Sequence, residues 1–142
     1  MINYGKHYID DEDIKSIIKV LKSENLTQGP TVKLFEKKLN FFFGSKYCTA
    51  VSNGTAALHI AGISLGWDKN SVIITTPLTC IAGNQPILML GAIPVWADVS
   101  RETGMLTRKT IEPLITKNTK AIYILHKEGS PAEVEEIYKL KK

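Results

Sequence analysis

Ser52-Asn53-Gly54-Thr55-Ala56-Ala57-Leu58-His59 (SNGTAALH, residues 52–59) is the stretch whose reading decides the fold of this 142-residue chain. It follows a short apolar run, YCTAV (47–51), and opens an Ala-rich apolar segment. That order predicts a strand, a turn of small residues and then a helix. Such a turn can seat an anion. Gly54 lets a ligand come close to the backbone, the first-turn amides of a helix lack intrahelical acceptors, and the helix dipole favours negative charge there. Thr55 adds a hydroxyl. The turn is not a Walker P-loop, because no Gly-Lys-Ser/Thr ends it. The plainer alternative is a helix start capped by Ser52 or Asn53. From these eight residues alone, the plainer alternative is favoured.

Outward from this turn, strand-like and helical runs alternate. Strands are expected over 47–51, 72–76, 93–99 and 121–126. Helices are expected over 54–65, 81–90 and 107–115, and in the closing PAEVEEIYKLKK. A β-α-β-α-β-α-β-α order predicts an α/β fold with a mostly parallel sheet, helices on both faces and right-handed crossovers. Before residue 45 the pattern is different. DDEDIKSIIKVLKS (10–23) carries Ile14, Ile17, Ile18 and Leu21 at helical spacing, with Asp10 as N-cap and acids in the first turn. NLTQGP breaks that helix. A second follows, with Pro30 at its first position, Leu34, Phe35, Leu39 and Phe42 on one face, and Gly44 as the stop. Residues 1–44 therefore read as an N-terminal helical arm and 45–142 as an α/β domain.

Composition excludes several classes. Hydrophobic residues make up 44% and charged ones 23%, which suits an ordinary globular protein able to bury a core without staples. The two cysteines, Cys48 and Cys80, form neither a disulfide framework nor a CxxC metal spacing, so no metal site is expected. The start of the chain has no basic-then-apolar leader, and no run is long enough to span a membrane, which sets a cytoplasmic expectation. The Asn-x-Thr sequons at Asn25 and Asn53 are then chance matches. The net charge of +4 is spread beside acids or gathered at Lys139, Lys141 and Lys142. Only Arg101 and Arg108 could supply guanidinium readout, so nucleic acid is not an expected partner.

Ligands of open parallel sheets bind beyond the carboxyl ends of the strands. The second such end reads ITTPLTCIAGNQPIL. Pro77 stops the strand, Thr79 can cap the next helix, and Cys80 faces the same rim as Thr55. No His or Lys flanks Cys80 closely, so its plain role is that of a small hydrophobe. Trp96, Asp98 and Met105 read as packing. His59 lies inside a helix and reads as structural. His126 ends a strand at the rim and is the better functional candidate of the two.

Taken together, YGKHYIDDEDIKSIIKVLKSENLTQGP, FEKKL, VSNGTAALHIA, VIITTPLTCIAGNQPIL, GAIPVWADV and TKAIYILH resemble the DegT/DnrJ/EryC1/StrS family of pyridoxal-phosphate-dependent nucleotide-sugar aminotransferases. The resemblance covers nearly the whole chain. It is strongest to transaminases that make 4-amino-4,6-dideoxy sugars for surface glycans and flagellar pseudaminic acid. It implies the N-terminal part of a fold-type I large domain, with the cofactor phosphate on Thr55 and Ala56. It puts Cys80 where an aromatic side chain usually stacks on the pyridine ring, and a thiol lacks that π-face. Tyr4, Glu24, Asn25, Leu26, Thr27 and Gly54 fall where the family lines its sugar-nucleotide pocket. A UDP-linked sugar, glutamate as amino donor and a homodimer, or a complementing chain, are the implied partners.

The resemblance also implies what is missing. The aspartate that pairs with the pyridine nitrogen and the Schiff-base lysine both lie beyond the position of Lys142. In LHKEGSP, Lys127 and Glu128 stand where small or apolar residues are common. The family sheet has seven strands and this chain carries the first four, which would leave 47–51 without its usual neighbour and its backbone groups in need of another partner. Two readings follow. One is a fragment of a sugar aminotransferase that is inactive alone. The other is a non-catalytic module that binds a nucleotide sugar or pairs with a full-length enzyme. A generic doubly wound nucleotide-binding domain would need a GxGxxG turn, and none is present.

Overall fold

The computed structural model describes residues 5–141, which form two compact units that divide between Ala50 and Val51.

The first unit holds two helices, α1 (Asp11–Leu21) and α2 (Pro30–Phe43). Local signals set their ends. The Asp10 carboxylate accepts the Glu12 and Asp13 amides at 2.9 and 3.0 Å, and the Asp13 carboxylate accepts the Asp10 amide at 3.2 Å. This reciprocal box satisfies three first-turn or cap donors. Pro30 occupies the first position of α2, where its missing N–H costs nothing, and Gly44 ends the helix at φ +63°. Neither helix has a fully buried residue.

The strand expected over 47–51 is absent. This stretch joins no ladder. One of its backbone groups finds a side chain instead, as the Ala50 amide donates to Glu36 Oε1 at 2.8 Å. Without a neighbouring strand an extended segment has no ladder to join, and the amide takes the acceptor at hand.

The second unit runs α3 (Gly54–Ser64), β1 (Val72–Thr75), α4 (Ile81–Met89), β2 (Ile93–Trp96), α5 (Arg108–Ile111), β3 (Thr119–Ile122) and α6 (Val134–Tyr138). The sheet is fully parallel in the order β2-β1-β3. The strands are shorter than expected, and β3 starts two residues earlier. β1 is four residues long and limits what its neighbours can pair with, and an irregularity at Val72/Ile73 shifts the β3 register. The helix expected over 107–115 tightens into a 3-10 turn at Glu112–Leu114, because Pro113 has no amide for an i→i−4 bond. The closing helix shortens to Val134–Tyr138.

Consecutive residues of β1 face opposite sides of the sheet, so each side has its own core. Ile73 packs with Ile87, Ala92, Trp67, Ala121 and Tyr123 on the α4 side. Ile74 packs with Ala97, Leu106, Ile111 and Ile137 on the α5–α6 side. Both isoleucines are fully buried. α4 continues through Pro86, although an interior proline typically costs about 3 kcal/mol in an isolated helix. Its place between buried Asn84 and Ile87 lets tertiary packing offset that cost. Among the described residues no helix is long and apolar enough to cross a membrane.

Candidate functional site

The site lies at the carboxyl end of β1. α3 leads through residues 65–71 into the start of β1, and α4 leaves from its end, so both helix N-termini open toward the carboxyl rim. The two helices pack side by side. Gly62 permits that approach, since a Cβ there would lie 2.6 Å from Leu90 Cδ1 and 2.8 Å from Trp67 Cε3.

At α3, Asn53 is the N-cap, and its side chain accepts the Ala56 amide at 2.9 Å. The two residues before Ala56, Gly54 and Thr55, have amides with no acceptor among the described residues. A Cβ at Gly54 would meet open space, so the approach to these donors is unobstructed. Two free amides, the Thr55 hydroxyl and the positive end of an 11-residue helix suit a phosphate group. The cap and the anion seat are therefore compatible, with the cap using the Ala56 amide.

At the end of β1, buried polar groups hold the loop in place. Thr75 Oγ1 donates to Asn84 Oδ1 at 2.9 Å, and Asn84 Nδ2 donates to the Thr76 carbonyl at 2.9 Å. Thr76 Oγ1 accepts the Leu78 amide at 3.1 Å. Asn84 thus ties α4 to the strand end and fixes the path of 76–80. Thr79 does not cap α4. Cys80 is the N-cap residue and makes no side-chain cap bond, while the Thr79 amide turns back onto the Pro77 carbonyl at 2.9 Å. Cys80 is exposed.

Two further residues approach this rim. Tyr123 follows β3, and its hydroxyl would stand 3.5 Å from a Cβ at Gly83 in the first turn of α4; Thr79 Oγ1 would stand 3.3 Å from the same point. Burial pushes the Tyr123 phenol above its ordinary pKa. Lys127 arches over Gly104, which has φ +66°, and pairs with Glu128 at 3.4 Å. Glu128 itself adopts φ +52°, a left-handed conformation rare for a glutamate.

His126 has a structural task here. Its Nδ1 accepts the Ala132 amide at 3.0 Å and closes the loop after β3. His59 is half-buried on α3. Among the described residues no cluster of three or more His, Cys, Asp or Glu side chains could hold a metal.

The remaining expected residues belong to the first unit. Glu24, Asn25, Leu26 and Thr27 form one exposed turn after α1. Gly29 makes it tight, because a Cβ there would lie 2.7 Å from Asn25 Cβ. Tyr4 lies outside the described residues. Asn84 and Tyr123 were missed in the sequence. Asn84 had a readable signal, one of two adjacent amide side chains, with Gln85, in an otherwise apolar helix just after a Thr-Thr strand end. Tyr123 had none beyond its place in a strand-like run.

Comparison with known proteins adds three findings. The model of the DegT/DnrJ/EryC1/StrS aminotransferase family matches residues 7–142. The uncharacterized protein MJ1066 of Methanocaldococcus jannaschii is 36% identical over 132 residues, 93% of this chain and 34% of its own length. Solved structures are similar as well, among them the following two. One is Helicobacter pylori PseC, an aminotransferase involved in the biosynthesis of pseudoaminic acid (TM-score 0.84, 33% identity, 97% of this chain and 38% of that one). The other is ntda from Bacillus subtilis with bound cofactor PMP (TM-score 0.83, 28% identity, 93% of this chain and 31% of that one). The chain thus spans about a third of the length of these relatives.

Proposed function

From the premise that this chain belongs to the DegT/DnrJ/EryC1/StrS aminotransferase family, we propose that it carries the phosphate end of a pyridoxal phosphate site and part of a sugar-nucleotide pocket. The observation that carries the reading is the start of α3, where the Gly54 and Thr55 amides are free and unobstructed at the carboxyl rim of a parallel sheet. Thr55 and the first-turn backbone ending at Ala56 hold the phosphate. Cys80 borders the cofactor ring without stacking on it. Glu24, Asn25, Leu26, Thr27, Gly54 and Tyr4 line the place of a UDP-linked 4-keto-6-deoxy sugar, with glutamate as amino donor.

When bound, pyridoxal phosphate supplies an electron sink for amino-group exchange. That exchange also requires a lysine to move the proton, and no lysine of this chain stands in the family's context for one. We therefore expect the 142-residue chain to seat the phosphate and not to turn over. Inorganic phosphate and then pyridoxal phosphate, titrated into ¹⁵N-labelled protein, should shift the Gly54 and Thr55 amides. Unmoved amides at millimolar ligand would sink the phosphate seat. Amino transfer to a UDP-4-keto sugar by the chain alone would sink the claim of inactivity.

A second reading is favoured by the tight turn 24–29, which Gly29 holds in shape through its close approach to Asn25. On this reading the chain is a non-catalytic module that binds a nucleotide sugar or pairs with a full-length aminotransferase. Calorimetric titration with a UDP-sugar discriminates: heat without pyridoxal phosphate supports the module, and no heat at millimolar ligand removes it.

A further inference from the structure

Asn53 is followed by Gly54, and every other asparagine of the chain is followed by a residue that carries a Cβ. The pair has a chemistry of its own. The backbone nitrogen after an asparagine can attack the side-chain carboxamide, and a glycine nitrogen is the least obstructed one to do so. The attack needs a nitrogen that no hydrogen bond ties down and a site that water can reach.

Both conditions hold at Gly54. Its amide has no acceptor among the described residues. Asn53 and Gly54 are exposed, and a Cβ at Gly54 would meet open space. Asn70 and Asn118 are exposed too, but the amides that follow them are tied: Ser71 donates to the Asp68 carbonyl and Thr119 to the Thr116 carbonyl, each at 3.0 Å. Asn84 is buried, with its oxygen and its nitrogen both bonded. The Asn53 carboxamide is held only at the surface, by the Ala56 amide at 2.9 Å and by a longer bond from Nδ2 to Ser52 Oγ at 3.3 Å. Opening that cap releases the carboxamide toward the Gly54 nitrogen.

We propose that Asn53 is a self-modifying site that converts to aspartate and isoaspartate, and that an anion on the Gly54 and Thr55 amides suppresses the conversion. The Gly54 nitrogen gives its proton to solvent and bonds to Asn53 Cγ. The Cγ–Nδ2 bond breaks, and the side-chain nitrogen takes up a proton and leaves as ammonia. Water then opens the cyclic imide at one carbonyl or the other. The sum is asparagine and water giving aspartate or isoaspartate and ammonia. The attack builds negative charge on the Gly54 nitrogen, so a phosphate beside it opposes the step and holds the peptide plane in its capped geometry. The product acts back on the seat. Aspartate caps a helix as well as asparagine does, so the fold survives, but its charge repels the anion. Isoaspartate adds a methylene to the main chain at the cap. A seat left empty therefore closes with time. The suppression rests on the phosphate reading given above; the conversion itself does not.

The test incubates the 142-residue chain at mildly alkaline pH with inorganic phosphate, or with sodium chloride at equal ionic strength, and maps aspartate and isoaspartate by mass spectrometry. In chloride, Asn53 should convert ahead of Asn70 and Asn118. Phosphate at about nine times its Kd should slow the conversion about tenfold, because about a tenth of the seats stay empty. The end-blocked peptide Val-Ser-Asn-Gly-Thr-Ala, which has no helix end, should gain no protection from phosphate. Gly54→Ala should slow the conversion severalfold, and an unchanged melting temperature would show that this variant is folded. Asn53→Asp should stay folded and bind phosphate about tenfold more weakly, read from the Gly54 and Thr55 amide shifts. The proposal is overturned if Asn53 converts no faster than Asn70 and Asn118 in chloride. It is also overturned if phosphate shifts the Gly54 and Thr55 amides and leaves the rate unchanged. Unmoved amides with an unchanged rate remove the suppression through failure of the phosphate seat itself, and the chloride arm still decides the conversion.

Discussion

The two units of this chain use the same helix-making devices and reach different ends. α1 has a capping box at Asp10, and α3 has a side-chain cap at Asn53. α1 is strongly amphipathic, yet Ile14, Ile17, Ile18 and Leu21 stay between 44% and 64% exposed. α3 is apolar nearly all round, and it packs against α4 beside a sheet whose central residues are fully buried. The difference lies in the sheet. β1 presents Ile73 and Ile74 to opposite sides, so one four-residue strand seeds two cores. Among its described residues the first unit has no such element. Its helices are specified locally, and their apolar faces are laid out for a surface that the unit does not itself supply. Local propensity makes helices in both units, and burial makes only the second a core.

The largest expected effect tests this contrast directly. Ile74→Ala should cost about 2–5 kcal/mol, because it leaves a cavity at the centre of a close-packed layer. Ile17→Ala, at 56% exposure, should cost less than about 1 kcal/mol. Urea denaturation of both variants measures the gap. Equal losses would mean that the apolar face of α1 is packed as tightly as the sheet, and the contrast would collapse.

How much of this was legible beforehand follows the same division. Signals that act within one turn were readable. Asp10 as a cap, Pro30 at a helix start, Gly44 as a stop and the βα alternation after residue 70 all appear in the structure. What depends on a partner was not readable. YCTAV has every mark of a strand, yet a strand needs a neighbour, and the Ala50 amide goes to Glu36 instead. Thr79 has the right type for a cap, but the loop it sits in is set by Asn84 reaching back to Thr75 and Thr76. The anion seat was legible as a choice between a bare cap and a cradle. The structure has the cap in place with two amides left over, a division of donors that no residue pattern encodes.

The next test asks whether the rim depends on its buried polar tie. Asn84→Ala should cost about 1–3 kcal/mol, since it strands the Thr75 hydroxyl and the Thr76 carbonyl. Amide exchange at Leu78 and Thr79 should rise more than exchange at Ile74. If the loop keeps its protection, Asn84 is not what positions it.

Matched cap deletions sharpen the comparison further. Asn53→Ala and Asp10→Ala should each weaken their helix by about 1 kcal/mol. The loss at Asn53 should appear in the global unfolding of the second unit, because α3 is packed there. The loss at Asp10 should appear only as faster exchange in the first turn of α1. An Asp10 variant that lowers global stability as much as the Asn53 variant would mean that α1 unfolds together with the sheet.

The smallest expected effect concerns the turn that feeds β1. The Ser71 hydroxyl donates to Asp68 Oδ1 at 2.8 Å and the Asn70 amide donates to the same oxygen at 3.0 Å. These bonds, the serine's first, hold the Asp68 carboxyl below its ordinary pKa. Both favour the charged form, so their contribution is fully present above the unfolded pKa of about 3.9 and is lost as pH falls through the lower folded value. Asp68 is exposed, so solvent screens the effect and keeps it small. Removing the first-named partner with Ser71→Ala should move the Asp68 titration, followed by carboxyl NMR, back up toward the ordinary value. If Asp68 titrates identically in the parent and the Ser71 variant, the turn is held by its backbone alone, through the Ser71 amide on the Asp68 carbonyl at 3.0 Å.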